Sequence, residues 1–197
     1  GTLYGRNAMA GVINIITKQP ANTMTGFGEI NIGNYGQQRY AAGFRTPLVK
    51  DKLYFGIAGV YDRSDGFYDN LYNNSDFDKK HSVIGNYYLR FHPNHKWALT
   101  LNVKHNENRN NGAFTLAGSP TEALEKPFTV NQNATTELID NIFNSSFVAS
   151  YSGDNFNFSS QTAYQSNHRY YTDPIDGDFS PADIITIIND YGKDWNN

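Results

Sequence analysis

The sequence predicts an all-β fold: a run of long antiparallel strands forming part of a barrel that crosses a membrane. Three observations carry this. Apolar and polar residues alternate with a period of two along stretches of about ten residues. The connections alternate between tight turns and long polar loops. Aromatic residues gather at strand ends.

The alternation is clearest in three stretches. Trp97, Leu99, Leu101 and Val103 interleave with Ala98, Thr100, Asn102 and Lys104. Phe143, Ser145, Phe147, Ala149 and Tyr151 interleave with Asn144, Ser146, Val148 and Ser150. Phe156, Phe158, Ser160, Thr162 and Tyr164 interleave with Asn157, Ser159, Gln161, Ala163 and Gln165. Strands are expected near 25–34, 37–47, 52–63, 81–92, 96–108, 141–152 and 155–168. Globular strands average about five or six residues, whereas a strand crossing a bilayer at a tilt needs about 9–11. The polar set Thr100, Asn102, Lys104, Asn144, Ser146, Gln161 and Gln165 is expected on the inner face.

The segments "LVKDKL", "HPNHKW" and "YSGDNF" read as tight turns. Those from Ser64 to Lys80, from Asn110 to Asp140 and from Tyr170 onward are long and rich in Asn, Gly and Asp. Short turns at one edge and long loops at the other mark outer-membrane barrels. "NIGNYGQQ" is the exception, short where a long loop is expected. Phe91 and Trp97 flank one turn, Tyr151 and Phe156 another, matching the interfacial girdles of such barrels. One helix is expected in the last loop. In "SPADIITIINDYG", Ser180 can cap it, Pro181 can open it, and Ile184, Ile185, Ile187 and Ile188 follow helical spacing.

Composition fits the same picture. Of 197 residues, 15% are aromatic and only 18% charged, so the polarity is mostly neutral. The net charge of −3 supplies no basic footprint for nucleic acid. The absence of cysteine excludes disulfides and Cys-based zinc sites. No apolar run is long enough for a membrane helix.

The opening "GTLYGRNAMAGVINIITKQP" supplies a motif. Tyr4, Gly5, Ala8, Gly11, Val12, Ile13, Asn14, Ile15, Thr17, Lys18 and Pro20 stand in an order that resembles the end of the plug domain of TonB-dependent outer-membrane receptors. Ala10 departs from the usual glycine pair. The resemblance covers about a tenth of the chain by motif and the rest by architecture. It implies a plug seated in a barrel of about 22 strands. Residues 1–20 would then end the plug, 21–25 form a linker, and 26–197 supply about seven strands of the barrel. An open set of strands leaves unpaired edges in a bilayer, so a fragment is expected. The resemblance further implies active uptake of a scarce ligand across the bacterial outer membrane, a ferric siderophore or another iron complex first. Vitamin B12 or an oligosaccharide by the same machinery is the alternative, and a soluble β-rich binding domain is the rival of a different class. The implied partners are the TonB energy-coupling complex, the ligand and outer-membrane lipid.

No catalytic constellation stands out: neither G-x-S-x-G, a P-loop nor a dinucleotide fingerprint occurs. No enzyme activity and no cofactor are expected. His92 and His95 flank a turn with poor metal geometry, and a solvated turn is the preferred reading. Asp173, Asp176, Asp178 and Asp183 crowd one loop, where hard oxygen ligands could hold calcium; their spacing is not that of an EF-hand, and a solvated acidic turn is the preferred reading. Ligand contact is expected from Phe67, Tyr68, Tyr72, Phe77, Arg109, Phe114, Tyr170 and Tyr171, through stacking, charge and cation–π contacts. Packing of loop on loop is the competing reading of each.

Overall fold

A computed structural model describes residues 20–111, 119–134 and 136–176, and the backbone of 186–187 and 193–196. Its elements in chain order are β1 (Thr25–Ile32), β2 (Gln38–Val49), β3 (Leu53–Ser64), β4 (Asp69–Asn70), β5 (Ser75–Asp76), β6 (Lys80–Phe91), β7 (Trp97–Asn111), α1 (Pro120–Glu125), β8 (Thr129–Val130), β9 (Glu137–Ser152), β10 (Asn157–Tyr171), β11 (Ile175–Asp176), β12 (Thr186–Ile187) and β13 (Lys193–Asn196).

Eight strands form one antiparallel sheet in the order β1-β2-β3-β6-β7-β9-β10-β13. Each long strand pairs with its neighbours along the chain, as hairpin connections dictate. Seven of the eight are the expected strands; β13, a four-residue addition at one edge, pairs with Ser166–Arg169 of β10. Pro47, which lacks an amide proton, sits where the β2–β3 register shifts.

The register sorts side chains onto two unlike faces. Phe44, Ile57, Tyr87 and Val103 form one cross-strand row, and Phe55, Leu89, Leu101 and Phe147 another. Both rows lie on the apolar face. Thr100, Asn102, Lys104, Asn144, Ser146, Gln161 and Gln165 all fall on the opposite, polar face. There Arg39 bridges Asp62 at 3.2 Å and Glu29 at 3.4 Å. The apolar face is uncovered: Ile30, Leu101, Phe147 and Tyr164 are all exposed.

Short turns close one end of the sheet, called here the turn end. Asp51 supports the β2–β3 turn at φ 60°, and Asn94 accepts from the amides of Lys96 and Trp97 in the β6–β7 turn. The expected girdle gathers here on the apolar face: the Trp97 and Tyr151 rings lie 5.0 Å apart, and Tyr151 and Phe156 5.1 Å apart. At the other, loop end, β1 and β2 are joined by a two-residue turn. Tyr35 and Gly36 both take positive φ, and the Gln37 amide donates to Asn34 O. That geometry lets "NIGNYGQQ" be short.

The helix expected in the last loop is corrected where the backbone is described. Thr186 and Ile187 form a strand paired with Asp176 and Ile175. Four β-branched isoleucines surround this point, and such residues suit a strand better than a helix. The remaining residues of 180–192 lie outside the described residues. The described helix is elsewhere. α1 is capped by Ser119, whose Oγ accepts from the Glu122 amide at 3.2 Å, with Pro120 at its start. The plug motif residues Tyr4, Gly5, Ala8, Gly11 and Asn14 lie outside the described residues.

Candidate functional site: the interlocked loops

The loop end holds the most deeply buried side chains among the described residues. Val130, Asn70 and Gln132 are each 1% exposed, although they stand in loops rather than in the large sheet. Around them three long connections are stitched together.

β4 is the centre of a small sheet, antiparallel to β5 and parallel to β8. The Leu71 amide donates to Val130 O at 2.8 Å, and the Asp69 amide to Phe128 O at 2.9 Å. The Asn70 carboxamide extends this ladder: its Nδ2 donates to Gln132 O at 2.7 Å, and its Oδ1 accepts from the Gln132 amide at 3.1 Å. Gln132 then reaches the third connection, with Nε2 donating to Asp176 O at 3.2 Å. The Asp176 carboxylate accepts from the Asn133 amide at 2.8 Å, and Thr136 Oγ1 donates to Pro174 O at 2.5 Å. Phe77, 6% exposed, and Ile175, 6% exposed, are further buried loop residues.

The candidate ligand-contact residues divide into groups. Phe67 and Tyr68 are held by Asp78, whose Oδ1 accepts from both backbone amides at 2.6 and 2.9 Å. Phe67 is exposed and packs on Tyr35 with centroids 4.8 Å apart; Tyr68 meets Phe128 edge-on at 5.8 Å. Tyr72 is exposed on the same loop, and its amide donates to Asn70 Oδ1 at 3.2 Å. These three are brought together on one hydrogen-bonded base. Arg109, Tyr170 and Tyr171 are not part of it. Arg109 and Tyr170 share a cross-strand row on the apolar-face side through Ile139, and Tyr171 is on the opposite face. Arg109 Nη1 donates to Asn141 Oδ1 at 2.7 Å, and Tyr170 packs on His168. Phe77 is buried rather than presented outward. Phe114 lies outside the described residues.

Two further expectations change. Asp176 is not solvated: it is 5% exposed, and its carboxylate is engaged by Asn133. Asp173 is exposed, and Asp178 lies outside the described residues. Among the described residues no group of three or more His, Cys, Asp or Glu is arranged to hold a metal. His92 is not a free turn residue either. Its Nε2 accepts from Arg90 Nε at 3.0 Å, and its ring meets Tyr54. Burial, then the Arg90 charge, pushes the His92 pKa below the ordinary value.

Sequence reasoning missed Asn70, Gln132, Asp78 and Thr136. The pairing of Asn70 with Gln132 spans 62 residues and has no local pattern to betray it. Asp78 caps amides ten and eleven residues earlier in the chain, which no local turn pattern signals.

No family model matches the chain. Over 94 residues, 47% of this chain, it is 33% identical to proteins named pesticin receptor from Yersinia enterocolitica and Yersinia pestis. Part of the chain is thus homologous to a receptor. The matched stretch is 14% of the length of those relatives.

Proposed function

We propose that this chain is part of a TonB-dependent outer-membrane receptor that takes up a scarce ligand, an iron complex first. The observation that carries the reading is the two-faced sheet. An uncovered aromatic and aliphatic face stands opposite a polar one, and six of the eight strands are twelve to sixteen residues long. A contiguous apolar face of this size marks an interaction surface, and lipid is the solvent that suits it. The aromatic girdle at the turn end and the partial similarity to pesticin receptors support the same reading.

In this reading the apolar face meets outer-membrane lipid and the polar face lines the lumen. The loop end faces outward, with Phe67, Tyr68 and Tyr72 offered to ligand. Residues 1–20 close a plug, 21–25 link it to the barrel, and the barrel begins at 26. The TonB complex, driven by the inner-membrane proton gradient, pulls on the plug, and ligand passes. The chain binds and conducts; it makes and breaks no covalent bond.

The test is the abundance of the native full-length protein in outer-membrane fractions, measured by mass spectrometry with and without iron starvation. Strong induction in that fraction is expected. Presence there without an iron response moves the ligand to a vitamin or glycan. Absence from the membrane overturns the reading.

A further inference from the structure

The chain reaches the sheet through a side-chain clasp at Asn22, three residues before β1. Asn22 Nδ2 donates to Asp51 Oδ1 at 2.5 Å. Asn22 Oδ1 accepts from the Asp51 amide at 2.9 Å and from the Tyr54 hydroxyl at 3.1 Å. One carboxamide thus takes three hydrogen bonds from the β2–β3 hairpin, 29 to 32 residues along the chain.

The partners are themselves fixed. Tyr54 is 8% exposed on the polar face, and its ring meets His92 edge-on at 6.0 Å. The His92 amide donates to Lys52 O at 2.7 Å, and Arg90 Nε donates to the imidazole Nε2 at 3.0 Å. Asn22 is therefore joined through Tyr54 and His92 to two successive turns.

We infer that Asn22 is a mechanical anchor: tension on the chain before Pro20 is passed into the β2–β3 and β6–β7 turns instead of along β1. The inference rests on the proposed reading, in which the preceding segment is pulled. Its physical basis is the order in which bonds are loaded. Among the described residues β1 is paired on one side only, to β2, beginning at Thr25 and Arg45. Tension reaching Thr25 directly would break such pairs one after another, each at low force. Tension reaching Asn22 first loads its three hydrogen bonds together, against a buried tyrosine. Asn22 is a positioning residue, and it contacts no ligand.

The experiment is a pull on the full-length protein in detergent, held at its C-terminus and drawn from its N-terminus by atomic force microscopy. Wild type is expected to show a distinct rupture when the chain before Asn22 is extended. Asn22→Ala is expected to lose that rupture and to lengthen at once by the eight residues of β1. Tyr54→Phe, which keeps the ring and removes one hydroxyl, is expected to rupture at an intermediate force. Asn31→Ala, in β1 but away from the clasp, is the control and is expected to leave the rupture unchanged. Equal rupture force and length in wild type, Asn22→Ala and Tyr54→Phe overturn the anchor. The pull needs neither ligand nor TonB, so its failure is distinct from failure of the fractionation test.

Discussion

Asn70 and Gln132 hold two loops together by a reciprocal pair of hydrogen bonds in which a side chain copies a strand. The Asn70 carboxamide donates to Gln132 O and accepts from the Gln132 amide, as a neighbouring peptide group would. Both residues are 1% exposed, so water cannot replace either bond. Gln132 in turn carries the link to Asp176.

Asn70→Ala therefore orphans a buried N–H and a buried C=O at once. Leaving such groups unpaired costs about 1–3 kcal/mol each. Hydrogen exchange in full-length protein is the measurement. Amides of Asp69, Leu71 and Asn133 are expected to exchange faster together, while those of β6 and β7 keep their protection. Acceleration confined to the loop carrying residue 70 would mean that the loops do not share one opening event.

Gly56 is required by the ring that covers it. A side chain there would run into the Tyr88 ring on the polar face of the sheet. Gly56→Ala is expected to cost about 1–3 kcal/mol by overpacking. Tyr88→Ser in the same chain is expected to recover most of the loss. Unfolding of the detergent-solubilised protein by denaturant reads both, and no recovery in the double variant would assign the loss to the Gly56 backbone instead.

Particular strands show what was legible in the sequence and what was not. From Trp97 to Lys104 the period of two is plain, and β7 begins where expected. Beyond His105 both faces turn polar, so the alternation vanishes while the ladder continues to Asn111. The start of β9 at Glu137 is hidden differently: apolar Leu138 and Ile139 and then polar Asp140 and Asn141 come in pairs, so no period of two shows. Both extensions are paired along their length with neighbouring strands, and the one in β9 also buries Ile139. The loops carry less local signal still. Ser119-Pro120-Thr121-Glu122 does announce α1, but isoleucines at helical spacing in 184–188 are equally good strand residues, and Thr186–Ile187 follow the strand. Phe67, Tyr68 and Tyr72 could be singled out as aromatic, yet the base that holds them depends on contacts between distant loops.

His92 makes the turn end sensitive to acid. Burial first, and the Arg90 charge second, favour its neutral form in the folded protein, so its pKa lies below the unfolded value of 6.5. A lowered pKa means that the unfolded chain binds the proton more readily. The stabilisation is full above pH 6.5 and is lost as pH falls through the folded pKa. Protonation also removes the acceptor that Arg90 uses. Exchange of the His92 amide, which donates to Lys52 O, is expected to speed up in this window, and His92→Asn to flatten the dependence. Exchange independent of pH, after correction for the intrinsic rate, would contradict the assignment.

Leu101 and Asn102 are neighbours in β7 on opposite faces, and the proposed membrane setting makes them respond oppositely to charge. Leu101 stands in the row Phe55, Leu89, Leu101 and Phe147 and is exposed on the apolar face. Asn102 pairs with Tyr88 and Ser146 on the polar face. In a bilayer, arginine on the lipid side of a barrel costs about 2–4 kcal/mol near the midplane, while lumen positions tolerate it. Leu101→Arg is expected to lower the yield of heat-modifiable, folded protein in outer membranes severalfold, and Asn102→Arg to leave it near wild type. In water the order would differ, because an exposed leucine is readily replaced by a charge. Equal tolerance at both positions would mean that the Leu101 face is not in lipid. Loss at Asn102 alone would place the lipid on the other side of the sheet.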